Sequence, residues 1–342
     1  MSDPSDPGPA VPSDPDPVTP GRPDSVAGEP APVTGVSDAD ALTEQLVAAG
    51  MLTLTGPAGI GKSRLATRLA RTAGLPVHRV DLSACQDSAR VPQAVAEALG
   101  VAPGTGGDPL PGLLRLLSRQ EGLLVLDTCE HVRTGCAYLV GRLHDACPRL
   151  RILATSRRPL TVPGELLVRV GPLNLEQGAR LLQEHAAGQG VPLPNPSAVL
   201  LAQRLDGDPL SSLLAARALR RMDLSELFLH LSAPGGHLAV LTGGPVEPAR
   251  HRTLLRAVEW SHRLCNRRQQ LLWARLSGFS GEFTRDHVQV LFTGSGELDA
   301  LVDASIVLPV GEARFRLPVA HRGYGQLRLV DLAGSRGTDL DT

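Results

Sequence analysis

A chain of 342 residues with a formal net charge of −1 has room for two or three compact domains and gives no bulk electrostatic reason to bind nucleic acid or a membrane surface. No apolar stretch nears the ~18–20 residues that cross a bilayer, and no basic-then-apolar leader opens the chain. The five cysteines form no CxxC pair and no His/Cys cluster, so the expectation is a reduced, cytoplasmic protein with no membrane association.

Residues 1–32 contain ten prolines among Asp, Ser, Gly, Ala and Val. A segment of that kind cannot bury enough apolar surface to offset its ordering entropy and reads as a disordered tail. Ala39 to Ala49 has helical spacing of Leu42, Leu46 and Val47, with Ser37 or Asp38 as cap. Met51–Thr55 is an apolar run of strand length, and Arg64–Ala70 returns to helical spacing.

Between that strand and that helix stands Gly56-Pro57-Ala58-Gly59-Ile60-Gly61-Lys62-Ser63, which fits G-x-x-x-x-G-K-[ST] at every position. A glycine-rich turn feeding a helix N-terminus gathers backbone N–H groups around an anion, and the helix dipole favours negative charge there. Lys62 is placed to reach the β- and γ-phosphates of a nucleotide, Ser63 to ligate Mg²⁺, and Arg64 to continue the cradle. Lys62 is also the only lysine; the other 33 cationic side chains are arginine. An arginine-rich coding bias explains the general pattern, but not a compact ammonium kept at the one place where a point charge serves phosphate.

Val77–Leu82 reads as a third element, a strand. Pro92–Leu99 reads as a helix with proline in its first turn, Gly100–Gly112 as a loop and Leu113–Leu117 as helix. Leu123–Asp127 is a continuous apolar run ended by an acid, as in a strand buried on both faces of a parallel sheet. Asp127 then lies on the edge where such sheets bind ligands and is placed to hold Mg²⁺. Three residues on, Glu130 is either the group that orients an attacking water or a carboxylate favoured by a helix N-terminus. Arg151–Thr155 and Leu166–Val170 supply two more strands. Arg157, just beyond the first of them, is either a γ-phosphate sensor or a surface arginine, and Arg158 reads more simply as surface.

From Leu175 the strand pattern stops. Helices are expected at Leu175–Ala187, Ser197–Leu205, Leu210–Arg221, Leu224–Leu231, Thr253–Arg263, Arg267–Leu276 and Arg285–Leu291. Ile306–Val310 and Ala313–Leu317, split by Gly311-Glu312, read as a two-residue hairpin, the wing of a helical unit.

The series LTLTGPAGIGKSRLA (52–66), LLVLDTCEHV (123–132), RILATSRRPLTVPGE (151–165), RLDGDPL (204–210), RHRTLLRAVEWSHRLC (250–265), RLSGFSGEFT (275–284) and LVDASIVLPV (301–310) resembles, in order, the STAND-type (NB-ARC-like) P-loop ATPase core of bacterial transcriptional regulators associated with SARP and LuxR proteins. The resemblance implies an α/β class: a P-loop NTPase parallel five-stranded sheet with helices on both faces (33–172), an all-α helical subdomain (173–240), a winged-helix-like subdomain (241–332) and a tail (333–342). It implies ATP or ADP with Mg²⁺ as ligands, Asp127 and Ser63 at the metal, Glu130 and Arg157 as catalytic groups, and Pro209 beside the adenine. Its Asp-Asn-Cys-Glu reads Asp127-Thr128-Cys129-Glu130 here. The arginine of its segment ahead of the first helix is missing from Thr34-Gly35-Val36-Ser37, and the glutamate of its last helix is replaced in Leu317-Pro318-Val319-Ala320-His321-Arg322.

The expected function is a nucleotide-dependent regulatory switch with slow ATP hydrolysis, working through a protein partner or a second copy of itself. A degenerate scaffold that does not hydrolyse nucleotide is the alternative. Direct DNA binding by residues 250–317 is the weaker reading, because Glu247, Glu259, Glu282 and Asp286 dilute their arginines. Neither a DNA-binding domain ahead of the core nor a helical repeat array after it is legible.

Overall fold

The computed structural model describes residues 33–34, 39–102, 107–244, 249–292, 294 and 296–337. The tail reading of 1–32 and the last residues, 338–342, lie outside them. Five parallel strands form the centre: β2 (Met51–Thr55), β3 (Val77–Asp81), β4 (Gly122–Asp127), β5 (Leu150–Thr155) and β6 (Leu166–Gly171). The two-residue β1 (Val33–Thr34) pairs with β6 as a sixth, edge strand, and the order is β1-β6-β2-β5-β4-β3. The register sets Asp81 beside Asp127 and Leu54 beside Thr155, so the polar ends of β3, β4 and β5 share one edge.

The continuous apolar runs bury both faces of this sheet because successive side chains point to opposite sides. Leu124, Leu126, Ile152, Ala154 and Met51 join one core, under α3 (Val91–Ala98), α4 (Leu110–Leu117) and α5 (Arg133–Ala146). Leu123, Val125, Leu153, Leu52 and Leu54 join the other, under α1 (Ala39–Ala49) and α2 (Lys62–Thr72). The sequence reading gives no range for helix α5, only a helix N-terminus as one reading of Glu130. Its first turn has no side-chain cap, and it carries Gly135, whose absent Cβ would lie 1.9 Å from the carbonyl oxygen of Ser88. Helix α4 begins at Leu110, inside the expected loop, with Pro111 in its first turn.

Beyond β6 the chain is helical: α6 (Leu175–Ala187), α7 (Asn195–Arg204), α8 (Pro209–Ala218), α9 (Leu224–Ser232), α10 (Gly236–Val240), α11 (Leu254–Arg263), α12 (Arg267–Leu276), α13 (Arg285–Leu291), α14 (Gly296–Asp303) and α15 (Val319–Gly337). Asn174, Asp208, Asp223, Thr253, Asn266 and Thr284 each cap a helix through a side-chain oxygen, which satisfies N–H groups the helix leaves open. Helix α15 runs past residue 332, so 333–337 are helical rather than tail.

The small antiparallel sheet joins β7 (Phe283–Thr284), β9 (Arg314–Arg316) and β8 (Leu308–Val310), in that order. Its hairpin differs from the sequence expectation. Val310 pairs with Arg314, leaving a three-residue loop, 311–313, in which Gly311 takes the left-handed φ of 66°. One continuous core runs from Ala179 to Tyr324 around Trp273, Phe283 and Phe315, and Ala58 of the phosphate loop belongs to it. The loop is therefore packed against the helical region as well as the sheet.

Candidate nucleotide site

The turn 56–63 leaves β2 at the centre of the sheet and enters α2 with Gly61 as the cap residue, which offers no side-chain oxygen. The first N–H groups of α2 thus have no side-chain cap and face the loop interior. Gly59 has φ 79°, and a Cβ there would lie 2.4 Å from Cβ of Leu210, so the loop tip and α8 touch at a distance only glycine permits. Lys62 Nζ donates to the carbonyl oxygens of Gly56 and Pro57, both at 2.8 Å, which holds the ammonium across the mouth of the turn. Burial brings its pKa down to about 7, against the pull of Glu130 and with the help of Arg157 and Arg250.

Asp127 is buried at the end of β4. Its Oδ1 accepts from Ser63 Oγ at 2.7 Å and from Thr155 Oγ1 at 2.5 Å, and its Oδ2 accepts from Arg79 at 2.7 Å. Burial raises its pKa, but these hydrogen bonds from Thr155, Ser63 and Arg79 outweigh burial and keep it below the usual carboxylate range. A hydroxyl and an ionised carboxylate in contact are a hard-oxygen pair, the donor chemistry that suits Mg²⁺ shared with phosphate oxygens and water. The donor set of the loop fits a nucleotide phosphate tail in the same way: backbone N–H groups, one ammonium and a helix N-terminus.

Glu130 and Arg157 meet each other. Arg157 Nε donates to Glu130 Oε1 at 3.1 Å, with the two side chains 3 % and 4 % exposed. The same guanidinium donates to the carbonyl oxygen of Ala257 at 2.9 Å and to Ser261 Oγ, and the Arg157 carbonyl accepts from Ser305 Oγ at 2.9 Å. Burial lowers the Arg157 pKa to about 10; for Glu130, burial raises the pKa and Arg157, then Lys62, more than reverse it. Arg158 donates to the carbonyl oxygen of Leu264 at 3.1 Å. Both arginines after β5 thus bind the C-terminal region to the sheet edge.

Pro209 opens α8, capped by Asp208, whose carboxylate accepts from Ser211 N at 2.9 Å. It lines an open cleft of about 810 Å³ together with Gly61, Arg64, Leu65, Val170 and Leu181. This cleft begins where the phosphate loop ends, mixes apolar walls of Leu65, Val170 and Leu181 with Arg64, Arg68, Arg71 and Arg180, and falls within the size of small-molecule sites. Ile60, Gly61 and Arg64, at the end of the phosphate loop, share this cleft with Pro209, whereas Lys62, Ser63 and Asp127 are not among its lining residues.

Sequence reading missed Thr155, Arg79, Thr128 and Arg250. Thr155 had a local signal, a hydroxyl at the end of a buried strand; Arg79 and Arg250 had none, because their partners stand far off in sequence. Thr128 has φ 69° although it is β-branched and buried; its N–H donates to Thr155 Oγ1 at 2.9 Å and its Oγ1 accepts from Arg250 at 2.9 Å. A β-branched residue in that region costs ~1–2 kcal/mol. Thr128→Asn keeps an acceptor for Arg250 and tolerates the left-handed backbone. We expect it to raise the unfolding free energy by about 1 kcal/mol; an unchanged or lower urea midpoint would contradict this reading of the turn.

Residues 45–161 match the AAA domain family. The chain is 34 % identical over 300 residues to a Mycobacterium tuberculosis protein provisionally named HTH-type transcriptional regulator Rv0890c; this covers 82 % of the chain but only 34 % of that protein. It is 33 % identical over 301 residues to the uncharacterized protein Rv0894 of the same species, covering 82 % of the chain and 76 % of that protein. Among solved structures it superposes on the Walker-type ATPase PABY2304 of Pyrococcus abyssi with a TM-score of 0.58 at 15 % identity, covering 84 % of this chain and 94 % of that one. The ORC2 protein of Aeropyrum pernix, solved in ADPNP–ADP complexes, gives a TM-score of 0.50 at 14 % identity, covering 90 % and 97 %. The chain spans about a third of the regulator's length, and these superpositions concern the fold alone. Among the described residues no helix is long and apolar enough to cross a membrane. On its P-loop ATPase fold, with an AAA domain at residues 45–161, the chain belongs to the family of the mycobacterial protein Rv0894.

Proposed function

We propose that this protein is a nucleotide-dependent switch of the STAND (NB-ARC-like) kind, acting in transcriptional regulation through a protein partner or a second copy of itself. The observation that supports the proposal is the contact of Ser63 with Asp127 beside Lys62 in the phosphate loop, next to a cleft that Gly61 and Arg64 share with Pro209. Lys62 and the loop N–H groups would hold the β- and γ-phosphates of ATP, or the β-phosphate of ADP, Ser63 and Asp127 would hold Mg²⁺, and Arg64 and Pro209 would border the nucleoside. The metal supplies charge neutralisation between the phosphates. The phosphate loop touches α8, and the cleft beside it is lined from both sheet and helical region, so a ligand with different affinity for their two arrangements would shift the balance between them.

The name of the relative Rv0890c supports a regulatory role. We assign no direct DNA contact to residues 250–317: Arg250, Arg263, Arg268 and Arg275 are engaged with Thr128, Glu259, Glu297 and the Leu291 carbonyl. A second reading, a scaffold that binds nucleotide without turnover, is favoured by one observation: Glu130 is bound to Arg157, which leaves it a weak base for activating water.

Denaturing the purified protein and chromatographing the supernatant tests the main reading. Bound ATP or ADP near one equivalent, or saturable Mg·ATP binding by stripped protein, is the expected result; neither would end it. Steady hydrolysis that Glu130→Gln abolishes would remove the scaffold reading.

A further inference from the structure

Helix α2 carries the cations Lys62, Arg64, Arg68 and Arg71 and no acid. Lys62 turns back to its own loop, whereas Arg64, Arg68 and Arg71 stand at i, i+4 and i+7 and so share one face. All three are exposed and line the cleft of about 810 Å³ beside the phosphate loop, together with Arg180 of α6. Among the described residues none of the three guanidiniums has a hydrogen-bond or ion-pair partner. Glu184, the acid that lines this cleft, is already paired with Arg180 at 3.0 Å.

That arrangement is unfavourable for the protein alone. A cation in the first turn opposes the helix dipole, and like charges three and four residues apart repel. Burial, and after it Arg64, lower the pKa of His185 on α6, so the field of the stripe reaches the opposite helix. Nothing in ATP answers this charge. Its phosphates belong with Lys62 and Ser63, which do not line the cleft, and the nucleoside beside Arg64 and Pro209 is neutral. Guanidinium forks on successive turns are instead the donor set for a further phosphate. Arg64 and Arg71 are about 10 Å apart along the axis, so the stripe starts beside the phosphate loop and runs on for two turns. Between the arginines Leu65 and Leu181 keep part of the wall apolar, which suits a base.

We propose that this cleft takes a nucleotide that carries a further phosphate on its ribose, at the 2′ or 3′ position, and that Arg68 and Arg71 bind that phosphate. This rests on the nucleotide-switch reading above and names the ligand class of the same site. The switch then answers to the phosphorylated ribose as well as to the 5′ phosphate chain. The three arginines are left without acids because the ligand supplies the negative charge.

Calorimetric titration of the stripped, full-length protein with Mg²⁺ compares ADP, adenosine 3′-phosphate 5′-diphosphate and adenosine 2′-phosphate 5′-diphosphate. One of the two ribose-phosphorylated ligands should bind about 10- to 100-fold tighter than ADP, because it gains charged hydrogen bonds to the stripe. The isomer with the larger gain identifies the position that is read. Arg68→Gln combined with Arg71→Gln, exposed changes that keep good helix formers, should cut the gain to about threefold or less and leave ADP affinity within about twofold. The two single variants, each expected to lose part of the gain, serve if the double variant does not fold. Equal affinity of all three ligands for the wild type overturns the proposal. So does a gain that survives in the variants; the stripe is then a solvated helix face. If wild-type protein binds none of the three, the nucleotide-switch reading has failed and this proposal with it, a result distinct from the other two.

Discussion

Replacing Lys62 by alanine should reduce affinity for Mg·ATP by on the order of 100-fold or more while leaving the fold intact. The side chain makes two hydrogen bonds, both to carbonyls of its own loop, so its removal costs the apo protein little. In the complex it faces two phosphates, and truncating one partner of a close charge pair costs roughly 2–5 kcal/mol. The pKa of about 7 adds a dependence on pH. Phosphate beside the ammonium favours its charged form, so binding above pH 7 takes up a proton. Affinity should therefore fall with rising pH, approaching a factor of about ten per pH unit, until the pKa of the complex is reached. Below pH 7 the group is already charged and contributes no slope. Lys62→Arg, which stays protonated throughout, should bind more weakly but lose the slope. Titrations between pH 7.5 and 9 check both points; Lys62→Ala binding like wild type would remove the phosphate loop from the account.

Legibility in the sequence followed range of contact. The five main strands are readable because each is a compact apolar run bounded by turn residues, α1 because of its apolar spacing, and α6, α12 and α13 because apolar spacing and capping side chains agree. Helix α5 escaped because its helicity rests on packing, with Gly135 set against Ser88, rather than on propensity or capping. Helix α15 escaped because Pro318 stands before it and Gly323 and Gly325 lie within it; Gly325 is where α15 closes on α12, since a Cβ there would lie 2.7 Å from Cβ of Ser277. The phosphate loop is a local signature, legible residue by residue. The surroundings of Asp127 are not: Thr155 and Arg79 reach it from neighbouring strands, and Arg250 approaches from the far C-terminal region. The family resemblance sets Glu130 and Arg157 each at the ligand, while their own sequence context leaves a helix-terminal carboxylate and a surface arginine as alternatives. Nothing in one dimension shows that two such side chains face each other.

That pair carries the largest expected effect on stability. Arg157→Met leaves Glu130 buried without its main partner and removes the donors to Ala257 and Ser261; we expect a loss of about 3–5 kcal/mol in urea unfolding. Glu130→Leu strands Arg157 in the same way and should cost a similar amount. The double variant should recover much of either loss, because an apolar pair of similar volume has no desolvation penalty to offset, so a double-mutant cycle should give a coupling of about 2 kcal/mol or more. The loss should also be local. Arg157 joins the end of β5 to α11, and the 257–261 amides should lose hydrogen-exchange protection in Arg157→Met before those of β4 and β5 do. A uniform loss would place the weak point in the sheet rather than at its junction with α11. A midpoint within about 1 kcal/mol of wild type would mean that the ion pair contributes little net stability, as buried pairs sometimes do. In that case the tie between sheet and C-terminal region would rest on the remaining hydrogen bonds, Arg158 to Leu264, Ser305 to the residue-157 carbonyl and Arg250 to Thr128, with the apolar contacts of Ala58 and Leu210.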